Sequence, residues 1–140
     1  MRVFVLAVAA VSCLAACGHS GHGRWELMKG GSEELGPFLD TTSVQLVGPD
    51  VVQAAVKVIY PEPRQLDPGI GTALSVRVVR VFHCKAGTSA TLGHHVYADR
   101  EQAQEIYKHE EALGEVSFKA PASGSQEELI AEWVCSKPAS

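Results

Sequence analysis

Cysteine placement constrains this chain more than any other feature of its 140 residues. Cys13 and Cys17 lie near the start, whereas Cys84 and Cys135 lie far apart in the second half. The first segment opens with Arg2, continues as an apolar run and ends in small residues, which is the pattern of a secretory signal. That run is too short for a permanent transmembrane helix. A secreted chain meets an oxidising compartment, so the remaining cysteines decide how the domain is held together.

The end of the leader predicts how the mature chain is anchored. Leu14, Ala15 and Ala16 precede Cys17, and Gly18 follows it. This sequence resembles the lipobox of bacterial lipoproteins. The resemblance implies a signal peptide over residues 1–16, cleavage before Cys17 and acylation of Cys17. Several acyl chains hold a protein stably on a bilayer. Gly18 stands where aspartate favours retention in the inner membrane of enteric bacteria, so we expect the outer membrane. Residues 17–24 are expected to form a flexible tether.

Cys84 and Cys135 remain once Cys13 leaves with the leader and Cys17 is acylated. One cysteine pair in an oxidising compartment predicts a disulfide. A zinc site would lack its other ligands, and a catalytic thiol would leave the second cysteine unexplained. The disulfide would close a loop of roughly 50 residues and add about 4 kcal/mol in the chain-entropy model.

Length and charge limit the classes of protein that remain. Removing residues 1–16 leaves 124 residues, enough for one domain with a modest core. Arg2 leaves with them, so the mature chain has 11 basic and 16 acidic residues and a net charge of −5. A negative net charge argues against general nucleic-acid binding.

Alternating apolar residues predict a sheet. The alternation is clearest over 52–60, and further extended segments are predicted over 25–28, 38–40, 43–47, 74–84 and 90–98. Prolines and glycines between 61 and 71 predict a long loop. A slip in the alternation predicts a β-bulge near Val78 and Val79. Because no crossover helices separate these segments, we expect an antiparallel sheet.

Two segments carry helix signals. Asp99 and Gln102 could form a capping box, and residues 99–113 have helical spacing. Ser125 and Glu128 form a second such pair. An apolar face follows it, made of Leu129, Ile130, Trp133 and Val134. This last helix reaches Cys135, where it can be tied to the strand that ends at Cys84.

Short motifs in a fixed order cover most of the mature chain. They are residues 25–28, 38–44, 82–84, 121–129 and 133–135. In this order the chain resembles the surface-adhesin protein E family of bacteria, with a domain over residues 25–136 and a tail over 137–140. The resemblance implies an α+β fold, with a single antiparallel sheet of about five to six strands and a C-terminal helix tied to it by a disulfide. It favours strand over helix for residues 99–113, and we follow it because tertiary context overrides helix propensity.

The resemblance also implies a function. It indicates an outer-membrane lipoprotein adhesin that binds host matrix proteins such as vitronectin or laminin and can form a homodimer. The alternative is a periplasm-facing structural or accessory lipoprotein without adhesin activity.

Other chemistry has weaker support. Ser89 lacks the flanking glycine of a nucleophile elbow, and the acidic residues after Asp99 are expected to be solvated, so we predict a non-enzyme without a cofactor. Haem or metal binding through His83, His94, His95 or His109 is a weaker alternative. His94 and His95 should point to opposite faces of a strand. A basic track of Arg77, Arg80 and Lys85 is the candidate partner-binding set, with Arg77 and Arg80 straddling the predicted bulge so that both face solvent.

Overall fold

Within the described residues, the alternating segments form one antiparallel sheet of seven strands, followed by one α-helix. The computed structural model describes residues 24–137 and 139. The strands are β1 (Trp25–Ser32), β2 (Gly36–Asp40), β3 (Gln45–Gly48), β4 (Val51–Gln65), β5 (Thr72–His83), β6 (Thr88–Tyr97) and β7 (Glu105–Glu110), and the helix is α1 (Gln126–Cys135). The predicted α+β class is confirmed, with seven strands instead of five to six.

Strand order places β4 and β5 at the centre of the sheet. The order is β1-β2-β4-β5-β6-β7, and β3 pairs with β4 beside β2. β1 and β7 therefore lie far apart, on the two sides of the sheet.

Helix α1 packs on one face of this sheet. Ser125 accepts a hydrogen bond from the backbone N–H of Glu128 at 3.2 Å, which confirms the predicted helix cap. Ile130 and Val134 turn inward onto the buried residues Met28, Leu39, Val44, Val52, Ala54, Val56 and Phe82. The opposite side is called the helix-free face below. Within the described residues, no helix has the length and apolar character to span a membrane.

A disulfide joins the two layers. Cys84 follows β5 and Cys135 ends α1, with an S–S distance of 2.08 Å and a Cα–Cα distance of 5.7 Å. The predicted pairing is confirmed. The helix is thereby attached covalently to the sheet that it covers.

The bulge predicted near Val78 and Val79 is found between Val79 and Arg80, but its extra residue belongs to β6 and not to β5. β5 pairs with β4 without interruption from Ser75 to His83. The irregularity lies on the other side of β5, where Leu92 of β6 is the extra residue. β5 is a central strand with apolar residues on both faces, and this double burial imitates a slip in the alternation.

The predicted loop over residues 61–71 is also shorter than expected. β4 continues to Gln65 and contains two of the prolines, Pro61 and Pro63. Regular pairing stops at Ile59 and resumes at Arg64. Proline has no N–H to donate, so it is tolerated where the ladder is already interrupted.

Residues 99–113 form no α-helix, and the strand that the family resemblance favoured is present as β7. The Asp99 carboxylate accepts hydrogen bonds from the backbone N–H groups of Ala103 and Gln104 at 2.9–3.1 Å. Gln102 has a φ of 61°, which a right-handed helix cannot contain. The predicted cap residue therefore closes a turn, and the chain continues into β7, which pairs with β6.

Candidate functional site

Strand register lines up polar side chains across the helix-free face. Phe38 pairs with Lys57, Lys57 with Arg77, Arg77 with His95, and His95 with Lys108. Directly paired residues point to the same face of a sheet. The sheet therefore carries a row of four basic side chains across β4, β5, β6 and β7.

Like charges opposite each other destabilise a sheet, and Asp40 offsets part of this cost at one end. Asp40 is fully buried. It accepts hydrogen bonds from Arg24 Nε at 3.0 Å and from the Thr42 hydroxyl at 2.7 Å, and Arg77 Nη2 lies 4.0 Å from it. Burial alone would raise the Asp40 pKa, but the hydrogen bonds from Arg24 and Thr42 hold the pKa below its ordinary value.

Two glutamates flank His95 at the other end of the row. Glu105 Oε2 lies 2.9 Å from His95 Nδ1, and Glu110 Oε1 lies 3.1 Å from His95 Nε2. Each ring nitrogen of His95 therefore has a carboxylate oxygen within hydrogen-bond distance. Lys108 lies 3.2 Å from Glu110 and lowers the Glu110 pKa through a hydrogen bond. These contacts fix the edge strand β7 to β6.

An open groove lies along the middle of this face. Its volume is about 370 Å³, and its polar lining residues are Ser43, Gln53, Arg77, His95, Glu110 and Glu111. These six residues are called the polar groove below. The groove contains both basic and acidic side chains, so it is complementary to a partner surface that carries charges of both signs.

A second cluster lies beside β1 and consists of Arg24, Trp25, Phe38 and Lys57, called the basic-aromatic corner below. Lys57 Nζ lies 4.6 Å from the centre of the Trp25 ring and 5.2 Å from that of Phe38. Arg24 Cζ lies 5.5 Å from the Trp25 ring centre. Burial and the nearby Arg24 charge lower the Lys57 pKa.

The structure separates the three cations predicted to form a basic track. Arg77 lies in the polar groove. Arg80 points to the other face, where it contacts Glu127 of α1 at 3.3 Å and the Ser89 hydroxyl at 2.9 Å. Lys85 lies in the turn after β5, 3.2 Å from Asp50. Arg77 and Arg80 are three residues apart in a strand without a bulge towards β4, so they cannot share a face. Their role in partner binding stays a prediction.

The histidines considered for haem or metal binding do not converge. His94 and His95 point to opposite faces, as expected, and His94 pairs directly with His109. His83 lies at the end of β5, with its ring centre 6.4 Å from that of Phe118. Burial and the positive neighbours His109 and Arg80 lower the His94 pKa. Within residues 24–137 and 139, no group of three or more histidine, cysteine or acidic side chains could hold a metal ion.

Sequence reasoning missed Lys57, Lys108 and the two glutamates beside His95. The alternation of β4 indicates that Lys57 points away from its apolar neighbours, but it does not indicate which residues of other strands lie beside it. Cys17, the predicted lipidation site, lies outside the described residues.

Comparisons with known proteins agree on one family. The family model described as Surface-adhesin protein E matches residues 25–136. A crystal structure of protein E from non-typeable Haemophilus influenzae superposes with a TM-score of 0.58 at 14% identity, over 81% of this chain and 76% of that chain. A second structure of Haemophilus influenzae protein E gives a TM-score of 0.54 at 14% identity, over 81% and 84% of the two chains. A search of curated protein sequences gave no match.

Proposed function

Because the chain belongs to the surface-adhesin protein E family, we propose that it binds a macromolecular partner, a host matrix protein, through the polar groove. The family is one of surface adhesins and not of enzymes. The observation that carries the choice of face is the direct pairing of Arg77 with His95 in an open groove.

The polar groove suits a binding surface better than a structural role. Helix α1 takes the apolar side chains on its own face, so nothing in the packing of the core requires Arg77 and His95 to lie side by side. Opposed basic residues cost stability. His95 has Glu105 and Glu110 as partners, whereas the one carboxylate near Arg77, that of Asp40, is 4.0 Å away among the described residues. Arg77 is therefore open to complementary charge on a partner.

The proposal includes a lipid anchor at Cys17 in the outer membrane. Its support is the leader sequence, with Leu14, Ala15 and Ala16 before Cys17. An anchor of several acyl chains keeps the domain at the cell envelope, where a host protein can meet it if the domain faces outward.

Replacing Arg77 by glutamine tests the proposed face. We expect Arg77→Gln to weaken binding to immobilised vitronectin or laminin by about tenfold or more, since arginine is enriched among residues that dominate binding energy. Surface plasmon resonance on the purified chain measures the change. Arg77 is 4.0 Å from Asp40 and makes no closer ion pair among the described residues, so the melting temperature should change little.

Lys85→Gln is the matched control. It removes the same charge from a side chain that is 77% exposed and lies in the turn after β5, away from the polar groove. We expect binding within about twofold of the wild type. Equal affinities for the wild type and both variants would reject the groove as the binding face, and failure of the wild type to bind either matrix protein would reject those partners.

A further inference from the structure

The basic-aromatic corner lies next to the start of the described chain. Arg24 and Trp25 open the domain, and Cys17 lies seven positions before Arg24. Seven residues span at most about 25 Å. If Cys17 carries lipid, as the proposed function states, the corner cannot leave the neighbourhood of the bilayer surface.

Positive charge at this corner exceeds the negative charge beside it. Asp40 carries the one carboxylate within 4.0 Å of Arg24 or Arg77 among the described residues, and Arg24 donates hydrogen bonds to it. Within the described part of the chain, Lys57 forms no ion pair, and its ammonium group lies over the rings of Trp25 and Phe38. The corner therefore offers an ammonium group without a counter-ion.

Burial of this ammonium group carries a cost in the folded domain. Burial and the Arg24 charge disfavour the charged form of Lys57, so its pKa is lowered. Burial therefore opposes the charged form of Lys57, and the contacts with Trp25 and Phe38 offset part of that cost. An anionic group bound at the corner would relieve this cost.

We propose that the basic-aromatic corner docks on the anionic lipid headgroups of the membrane that holds Cys17. Lysine and arginine are attracted to anionic headgroups, and tryptophan is favoured at the interface between lipid and water. Trp25 and Phe38 are both half-buried, so part of each ring is open for this contact. The short tether gives the corner a high effective concentration at the lipid, which favours this occupant over a soluble anion.

Docking at this corner also sets the orientation of the domain. β1 lies at one side of the sheet, and β6 and β7 lie at the other. With the β1 side against the bilayer, the β6–β7 end of the polar groove is farthest from the membrane. The corner thus places the proposed binding face where a partner can reach it.

Fluorescence quenching by brominated lipids tests the docking. The chain contains two tryptophans, Trp25 and Trp133, so Trp133→Phe leaves Trp25 as the probe. The full chain with this substitution, purified from bacterial membranes, is incorporated into vesicles of brominated phosphatidylcholine, with or without brominated phosphatidylglycerol. We expect stronger Trp25 quenching in the vesicles that contain phosphatidylglycerol.

Lys57→Met is the test variant, and Lys29→Met is its matched control. Methionine keeps most of the length of the Lys57 side chain. It removes a charge whose burial is unfavourable, together with the ring contacts of that charge, so we expect a stability close to that of the wild type, which urea denaturation checks. In anionic vesicles, we expect Lys57→Met to lower the ratio of docked to undocked chain about fivefold. This is the effect of removing the attraction of one cation to an anionic surface. Lys29 is exposed on β1 but lies near α1, away from the corner, so Lys29→Met should leave the ratio nearly unchanged.

Flotation of the same vesicles separates the docking from the anchor. A chain that floats with both compositions is anchored, and equal Trp25 quenching in the two compositions would then overturn the docking alone. If the chain floats only with anionic vesicles and Lys57→Met abolishes this flotation, the docking is supported and the anchor is rejected. A chain that floats with neither composition overturns both.

Discussion

A chain with alanine at both Cys84 and Cys135 will be about 4 kcal/mol less stable than the wild type. The disulfide closes a loop across 51 positions, and it joins α1 to the end of β5. The loop closure restricts the unfolded chain, and longer loops give larger effects. Domains of this size have roughly 5–15 kcal/mol of total stability, so the loss removes a large share of it.

Urea denaturation followed by circular dichroism measures this loss. The midpoint should shift to lower urea in the double variant, and reduced wild-type protein should show a similar shift. Ile130 and Val134 should lose their packing first, because they are the two buried residues of α1, a helix of only ten residues. A loss below about 1 kcal/mol would mean that the packing of α1 alone holds the two layers together.

Replacing Asp40 by alanine should cost about 2–3 kcal/mol. The side chain is fully buried, it caps the turn Thr41–Ser43 by accepting a hydrogen bond from the Thr42 N–H at 3.1 Å, and it pairs with Arg24. The substitution leaves these donors without their acceptor, and Arg24 is half exposed, so water recovers part of the loss. Asp67→Ala, an exposed loop carboxylate without an ion pair among the described residues, is the control and should change stability by less than about 0.5 kcal/mol.

The cost of Asp40→Ala should depend on pH. The folded-state pKa of Asp40 is lowered below its ordinary value of 3.8, so its contribution is complete above that value and is lost as the pH falls through the folded-state pKa. The difference in unfolding free energy between the wild type and Asp40→Ala should therefore be constant near neutrality and shrink in acid below about pH 4. A difference that stays constant into strong acid would show that the charge of Asp40 contributes nothing.

The cysteines and the hydrophobic alternation account for the parts of the fold that the sequence predicts well. The pairing of Cys84 with Cys135, the helix that begins after Ser125 and the antiparallel sheet all follow from local patterns. The strand β7 needed the family resemblance, since the signals around Asp99 favour a helix until Gln102 takes a left-handed conformation. Asp40 gives a physical reason for the motif over residues 38–44, because its carboxylate accepts a hydrogen bond from the Thr42 N–H in the turn after β2.

The candidate site depends on the register between neighbouring strands, and the sequence of one strand does not determine that register. Arg77, Lys57 and His95 lie on three strands, and only the pairing of β4, β5 and β6 brings them side by side. The extra residue of the bulge was assigned to β5 instead of β6 for a related reason. A strand that is buried on both faces has apolar residues at successive positions, so its sequence no longer shows where the alternation breaks.

Adherence of intact bacteria to matrix-coated surfaces tests the central claim most directly. The strains compared are wild type, a strain without the gene, and strains that produce Arg77→Gln or Lys85→Gln, with protease shaving to show that equal amounts of chain lie on the surface. We predict that the Arg77→Gln strain adheres to vitronectin or laminin as poorly as the strain without the gene, while Lys85→Gln adheres as well as wild type. Full adherence without the gene, or a chain that shaving cannot reach, would contradict the assignment as a surface adhesin.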